Sequence, residues 1–123
     1  MPVKHHHLGE LEQAIMDVLW QHGSATVRVV LGVLGRKRRI AYTTVMTVMG
    51  RLVDKGVLTR KADGASYTYR PTQPRQRFFE RASRQAVDEL LNSYGAVAVS
   101  AFLDKLEVTD PALVKKLKKR FGN

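Results

Sequence analysis

The 123-residue sequence predicts a mainly α-helical fold with one small β-hairpin, and three observations carry that prediction. Residues 8 to 56 hold three consecutive stretches in which apolar side chains recur at helical spacing, the pattern that puts one face of a helix into a core. Two short runs rich in Thr, Tyr and Val follow, joined across Asp63-Gly64, a strong hairpin signal. Beyond Pro71 and Pro74 the helical spacing returns and continues to residue 121. Three helices and then a hairpin is the order of a winged helix-turn-helix domain, and the remaining three helices form a second domain. The expected organisation is a flexible N-terminus over 1–7, a winged-helix domain over 8–71, a linker over 72–75 and a second, helical domain over 76–123.

Composition narrows the function. Apolar residues make up 44% of the chain, which suits a folded protein rather than a disordered tail. Lys and Arg number 21 against 11 Asp and Glu, a net charge of +10 that favours a polyanionic partner. Nucleic acid leads and a membrane surface is the rival. With no cysteine, disulfides and thiolate metal sites are excluded, which fits a reducing compartment. No apolar run reaches the roughly 18 residues of a membrane span, and the N-terminus lacks a signal-peptide core, so a cytoplasmic protein without a membrane partner is expected. His5, His6 and His7 stand together on the N-terminal end, where no fixed scaffold converges ligands, so no metal and no cofactor is assigned.

The first helix starts at Leu8, with Leu11, Ile15, Val18 and Leu19 on one stripe, Trp20 widening it as a core plug, and Gln21, His22 and Gly23 ending it. Thr26 then caps a second helix, in which Val27, Val30, Leu31 and Leu34 repeat the spacing. That helix stops in GRKRR, where Lys37, Arg38 and Arg39 can reach a phosphate beside whatever groove the next helix enters.

The third helix, residues 41 to 56, has two unlike faces. Val45, Val48, Met49 and Leu52 form the buried stripe. Thr43, Thr47, Gly50 and Asp54 lie opposite, with Thr44 and Arg51 on the shoulder. Short hydroxyls and a glycine let a helix backbone approach another surface closely, and in a DNA major groove a threonine offers a hydroxyl to a base edge or phosphate and a methyl to thymine. The plainer alternative is an ordinary amphipathic helix rich in threonine. Val57 to Ala62 and Ala65 to Arg70 make the wing, with Tyr67 and Tyr69 on one face and Ser66, Thr68 and Arg70 on the other. Arg60, Lys61 and Ser66 stand near its tip, where they can touch a DNA backbone.

In the tail, Phe79, Ala82, Ala86, Leu90 and Tyr94, with Phe78, Val87 and Leu91 beside them, make a stripe too wide for a lone helix, so a further partner surface is expected. Gly95 breaks that helix, AVAVSAFLDKL makes a shorter one, and Asp110-Pro111 starts a last helix with Leu113, Leu117 and Phe121 facing inward. Three helices in under 50 residues are a poor core by themselves, and two copies interleaved as a homodimer supply the missing surface. Phe79, Ala86, Leu90, Leu91, Phe102, Leu106, Leu113 and Leu117 are the dimerisation candidates. Residues 1 to 74 hold 11 basic and 5 acidic residues, and residues 75 to 123 hold 10 and 6, so the charge is spread over both parts.

LGELEQAIMDVLW, TVRVVLGVLGRKRRIAYTTVMTVMGRLVDKGVL and SYTYRP resemble the BlaI/MecI penicillinase repressor family, strongly over residues 8 to about 71 and more weakly, by layout, over 75 to 121. The resemblance implies a bacterial homodimeric repressor with an N-terminal winged helix and a C-terminal dimerisation domain of three helices. It puts Thr43, Thr44, Thr47 and Arg51 at recognition-helix positions and Tyr67 at a wing position. Copper-responsive relatives carry a C-terminal cysteine cluster, which this sequence lacks. In the β-lactam branch a regulatory protease cuts an Asn-Phe bond in the dimerisation domain. The corresponding place here is Ala101-Phe102, which keeps the phenylalanine and loses the asparagine; core packing of Phe102 is the alternative.

The function expected is therefore a sequence-specific transcriptional repressor that binds a dyad-symmetric double-stranded operator as a homodimer. The alternative is a non-catalytic winged-helix module that binds protein or coats the nucleoid. An enzyme is disfavoured: no paired carboxylates, cysteine or Gly-rich phosphate loop is present, and His22 reads as a helix terminator.

Overall fold

The computed structural model describes residues 8–121, so the expectations for the N-terminus, including the histidine run, lie outside the described residues. The elements are α1 (Glu10–His22), α2 (Val27–Leu34), α3 (Tyr42–Asp54), β1 (Leu58–Asp63), β2 (Ser66–Pro71), α4 (Arg75–Tyr94), α5 (Ala96–Thr109) and α6 (Pro111–Phe121). The fold is mainly helical with a β-hairpin, a winged helix-turn-helix followed by three C-terminal helices. The chain forms two compact units, Met1–Ser83 and Arg84–Asn123, dividing within α4 rather than at the prolines.

In the first unit, α1 begins two residues after Leu8 because Gly9 takes the cap position. Its N–H donates to Glu12 Oε1 at 3.0 Å and satisfies a helix-entry donor. Thr26 caps α2 as expected, its Oγ1 accepting the Val29 N–H at 3.2 Å. α1, α2 and α3 pack on one another around Ile15, Leu19, Val30, Val45, Met49 and Leu52, all fully buried. The buried stripe of α3 is the expected Val45, Val48, Met49 and Leu52.

The hairpin differs from expectation by one residue. Asp63 pairs with Ser66, so the two-residue turn is Gly64-Ala65 and not Asp63-Gly64. Gly64 has φ +63, and no non-glycine residue described has positive φ. A turn centred on Asp63-Gly64 in the usual form would force Asp63 into the left-handed region, whereas Gly64 in the first central position confines that demand to glycine, the type II′ arrangement. Tyr69 is buried at 2% exposure, while Tyr67, on the same face of β2, stays exposed. Ala25 adds a one-residue third strand, exchanging hydrogen bonds with Tyr69 at 3.0 and 2.9 Å. That bridge has no sequence signature, since one residue cannot alternate.

The start of α4 belongs to this unit. Phe78 and Ala82 are buried in the same core, and Trp20 lies 5.4 Å from the Phe78 ring and 5.8 Å from Phe79. The Trp20 indole N–H donates to the Gln73 carbonyl at 3.1 Å, satisfying its polar end.

In the second unit, Gly95 interrupts the helix at φ +60, and Asp110 starts α6 by accepting the Leu113 N–H at 3.1 Å. α5 runs past the expected Leu106 to Thr109. The α6 stripe expected to face inward does not do so within the chain: Leu113 and Phe121 are exposed, Leu117 is half-buried, and Val114 is the buried residue among those described. α6 packs mainly on α5, along a narrow line, and a narrow line covers few side chains.

Candidate nucleic-acid interface

The outer face of α3 follows from its inner one. With four apolar side chains fixed in the core, helical geometry turns Thr43, Thr44, Thr47, Arg51 and Asp54 to solvent, and all are exposed. Gly50 lies among them, and a Cβ built there would meet no atom within 4 Å. Ala41, at the N-terminus of α3, gives no side-chain cap, and no acidic residue occupies the first turn.

The far end of the helix is pinned. Lys55 Nζ donates to Glu12 Oε2 at 2.7 Å, tying the end of α3 to α1. Partial burial of Glu12 works against its charge, but the hydrogen bonds from Lys55 and the Gly9 N–H, with the charges of Lys55 and Arg51, together hold its carboxyl below the ordinary carboxylate range. The loop between α2 and α3 is tied as well, since Arg38 pairs with Glu10 at 3.4 Å. Arg39 and Lys37 are exposed on that loop.

The wing separates residues that the sequence groups together. Arg60 stands opposite Tyr69, and its guanidinium lies 4.6 Å from the Tyr67 ring centroid, so Arg60 and Tyr67 share a face. Lys61 pairs with Thr68 and shares the other face with Ser66, whose hydroxyl donates to the Asp63 carbonyl across the turn at 3.4 Å. The neighbouring Tyr69 and Tyr67 hold the Arg60 guanidinium above its ordinary range, in the same direction as the permanent charge of any arginine.

Three exposed residues near the α3 face were not singled out from sequence. Tyr42 and Met46 are 40% and 44% exposed, on the shoulder away from Arg51, and Arg28 of α2 reaches to 5.7 Å from the Tyr42 ring centroid. The helical period already sets 42 and 46 outside the buried stripe, and that placement is the signal that could have found them.

The dimerisation candidates divide. Phe79 is half-buried against Trp20 in the first unit, with Arg75 4.7 Å from its ring centroid. Leu90, Leu91, Phe102 and Leu113 are exposed in the second unit, and Ala86, Leu106 and Leu117 are half-buried. Ala101 and Phe102 lie within α5, both exposed.

The profile of the penicillinase repressor family matches residues 8–121. The chain belongs to that family. Within it, the chain is 44% identical over 69 residues to the transcriptional regulator BlaI of Mycobacterium tuberculosis, a match covering 55% of this chain and 50% of that protein. It is 25% identical over 97 residues to the penicillinase repressor of Bacillus licheniformis, covering 79% and 76%. The chain thus spans half the length of the mycobacterial relatives it matches. Among solved structures, the solution structure of the DNA-binding domain of the repressor BlaI superposes with a TM-score of 0.53 at 25% identity, over 61% of this chain and 90% of that domain. An oxidised form of MarR from E. coli shares the fold, with a TM-score of 0.50 at 16% identity, over 83% of this chain and 75% of that one. The family is one of repressors rather than catalysts. No helix among the described residues is long and apolar enough to cross a membrane.

Proposed function

We propose that this penicillinase repressor family member is a transcriptional repressor that binds a dyad-symmetric operator in double-stranded DNA as a homodimer and blocks a promoter by occupying it. The observation that carries the reading is α3: Val45, Val48, Met49 and Leu52 are committed to the core, and its outer face offers threonines and a glycine beside Arg51. Such a face fits a major groove, where the helix reads base edges while flanking cations hold phosphates. Thr43, Thr44 and Thr47 contact bases or adjacent phosphates. Arg39, Arg51 and the wing residues Arg60, Lys61, Ser66 and Tyr67 hold the backbone. Few side chains on α3 can make paired hydrogen bonds to a base, so methyl contacts and DNA deformability carry much of the specificity.

The second unit supplies the twofold. Its exposed Leu90, Leu91, Phe102 and Leu113, with Ala86, Leu106 and Leu117, bury themselves against a second copy. Phe79, already occupied by Trp20, contributes less. Phe102 belongs to this surface; a protease cutting at Ala101-Phe102 must first unwind α5, since both residues are helical.

Footprinting and mobility shifts across a salt series, on DNA flanking the protein's own gene and on random duplex, test the reading. A discrete dyad footprint that outlasts binding to random duplex is expected. Thr47→Glu abolishes it while the dimer persists on gel filtration; unchanged operator affinity in that variant rejects the role of α3. Arg39→Ala weakens all duplexes alike and lowers the salt slope by about 0.9, the value for one phosphate contact.

A further inference from the structure

Met46 is a large apolar side chain that the core does not use. Val45, Val48, Met49 and Leu52 satisfy the inner face of α3, and Met46 stays 44% exposed on the outer shoulder. One turn before it stands Tyr42, and one turn after it stands Gly50, where the position of a Cβ is open space. Thr43 and Thr47 lie beside it on the same outward surface. The shoulder is therefore apolar and uncrowded, within a surface otherwise made of hydroxyls and cations.

We propose that Met46 is a specificity-determining residue of the DNA interface and that it reads thymine, burying its thioether against C5-methyl groups in the major groove. The proposal rests on the DNA-binding reading above and adds the base class. The partner follows from the neighbours: Arg51 on the same helix, Arg28 beside Tyr42 and Arg39 before the helix are suited to phosphates. The base follows from chemistry. Methionine has no donor and only a weak sulfur acceptor, so it cannot pair with the polar edges that guanine, cytosine and adenine display in the major groove. Set against those edges it strips water from donors and acceptors without replacing their hydrogen bonds, which costs free energy. Thymine alone presents a methyl there. An unbranched side chain with three rotatable bonds can follow that methyl across small shifts of the helix.

The test uses a duplex recovered by selecting random DNA on the full-length protein. Each thymine is replaced in turn by deoxyuracil, which removes the C5-methyl and leaves the hydrogen-bonding edge intact. At one or two positions in each half-site, affinity of the unmodified protein falls roughly fourfold, the value for one buried methyl-sized group. For Met46→Ala the same replacements have no effect, while its melting temperature matches that of the parent because the side chain is exposed. A deoxyuracil penalty that persists undiminished in Met46→Ala assigns the methyl to another residue and overturns the proposal. The absence of any penalty on a discretely protected duplex overturns it too, leaving DNA reading by α3 in place. Binding that selects no sequence at all removes the DNA-reading role itself, and the thymine inference falls with it.

Discussion

In the unit Met1–Ser83, short helices, a hairpin and the first turns of α4 enclose Ile15, Leu19, Met49, Leu52 and Tyr69 almost completely. In the unit Arg84–Asn123, α5 buries no side chain among the described residues, and Val87, Tyr94, Val97, Phe102 and Val108 remain exposed. Both units are built mainly from helices. The first unit closes because its helices meet around a common centre, with the wing held beside them by the Ala25–Tyr69 bridge. The second has mainly a helix-on-helix line, which can shelter Val114 and little more. Large apolar faces left over after folding mark surfaces meant for a partner.

The largest expected effect tests the closed unit. Leu52→Ala costs about 2–5 kcal/mol, the range for emptying a fully buried leucine site, and urea denaturation gives the same loss at every protein concentration. A concentration-dependent loss would mean that this core, too, depends on a second copy. Replacing Leu90 and Leu91 together with Asp does the opposite: sedimentation shows a monomer, affinity for a full dyad site falls by about a hundredfold as the linked second contact is lost, and α1–α3 stay folded by hydrogen exchange. A double variant that remains a dimer would sever the link between exposure and assembly.

Smaller effects sharpen the picture of the winged unit. Thr26→Ala loses the cap of α2 and costs about 1 kcal/mol in thermal unfolding. Glu12 gives a pH signature. Its carboxyl titrates below the ordinary 4.5 when folded, so its stabilisation is fully present above that value and is lost as pH falls through the lower, folded value. The stability gap between the parent and Glu12→Gln is therefore constant at neutral pH and narrows in acid; a gap that widens in acid would contradict the Lys55 pairing. Gly50→Ala carries the smallest change, stabilising α3 by about 0.5–1 kcal/mol because no neighbour fills that space. If DNA approaches the helix there, the same variant binds its operator more weakly.

Much of the fold was legible because its signals are local. The inner stripe of α3, the Thr26 and Asp110 caps and the wing announce themselves within a few residues, and so do Thr43, Thr44, Thr47 and Arg51 on the outer face. The exposure of Met46 and Tyr42 was harder to read, since an apolar residue on an amphipathic helix resembles core until the edge of the buried stripe is known.

The sequence by itself determined the number and order of the helices, which face of α3 is apolar, and that the chain is strongly basic, because helical period, capping and charge are properties of neighbouring residues. Only the tertiary structure decided that Gly64-Ala65 makes the turn, that Ala25 joins the sheet, that Trp20 draws the start of α4 into the winged unit through Gln73, Phe78 and Phe79, and that Val114 rather than Leu113 faces inward. Each of those outcomes depends on groups brought together across the chain or on a choice among competing geometries, and local spacing carries no record of which neighbour arrives.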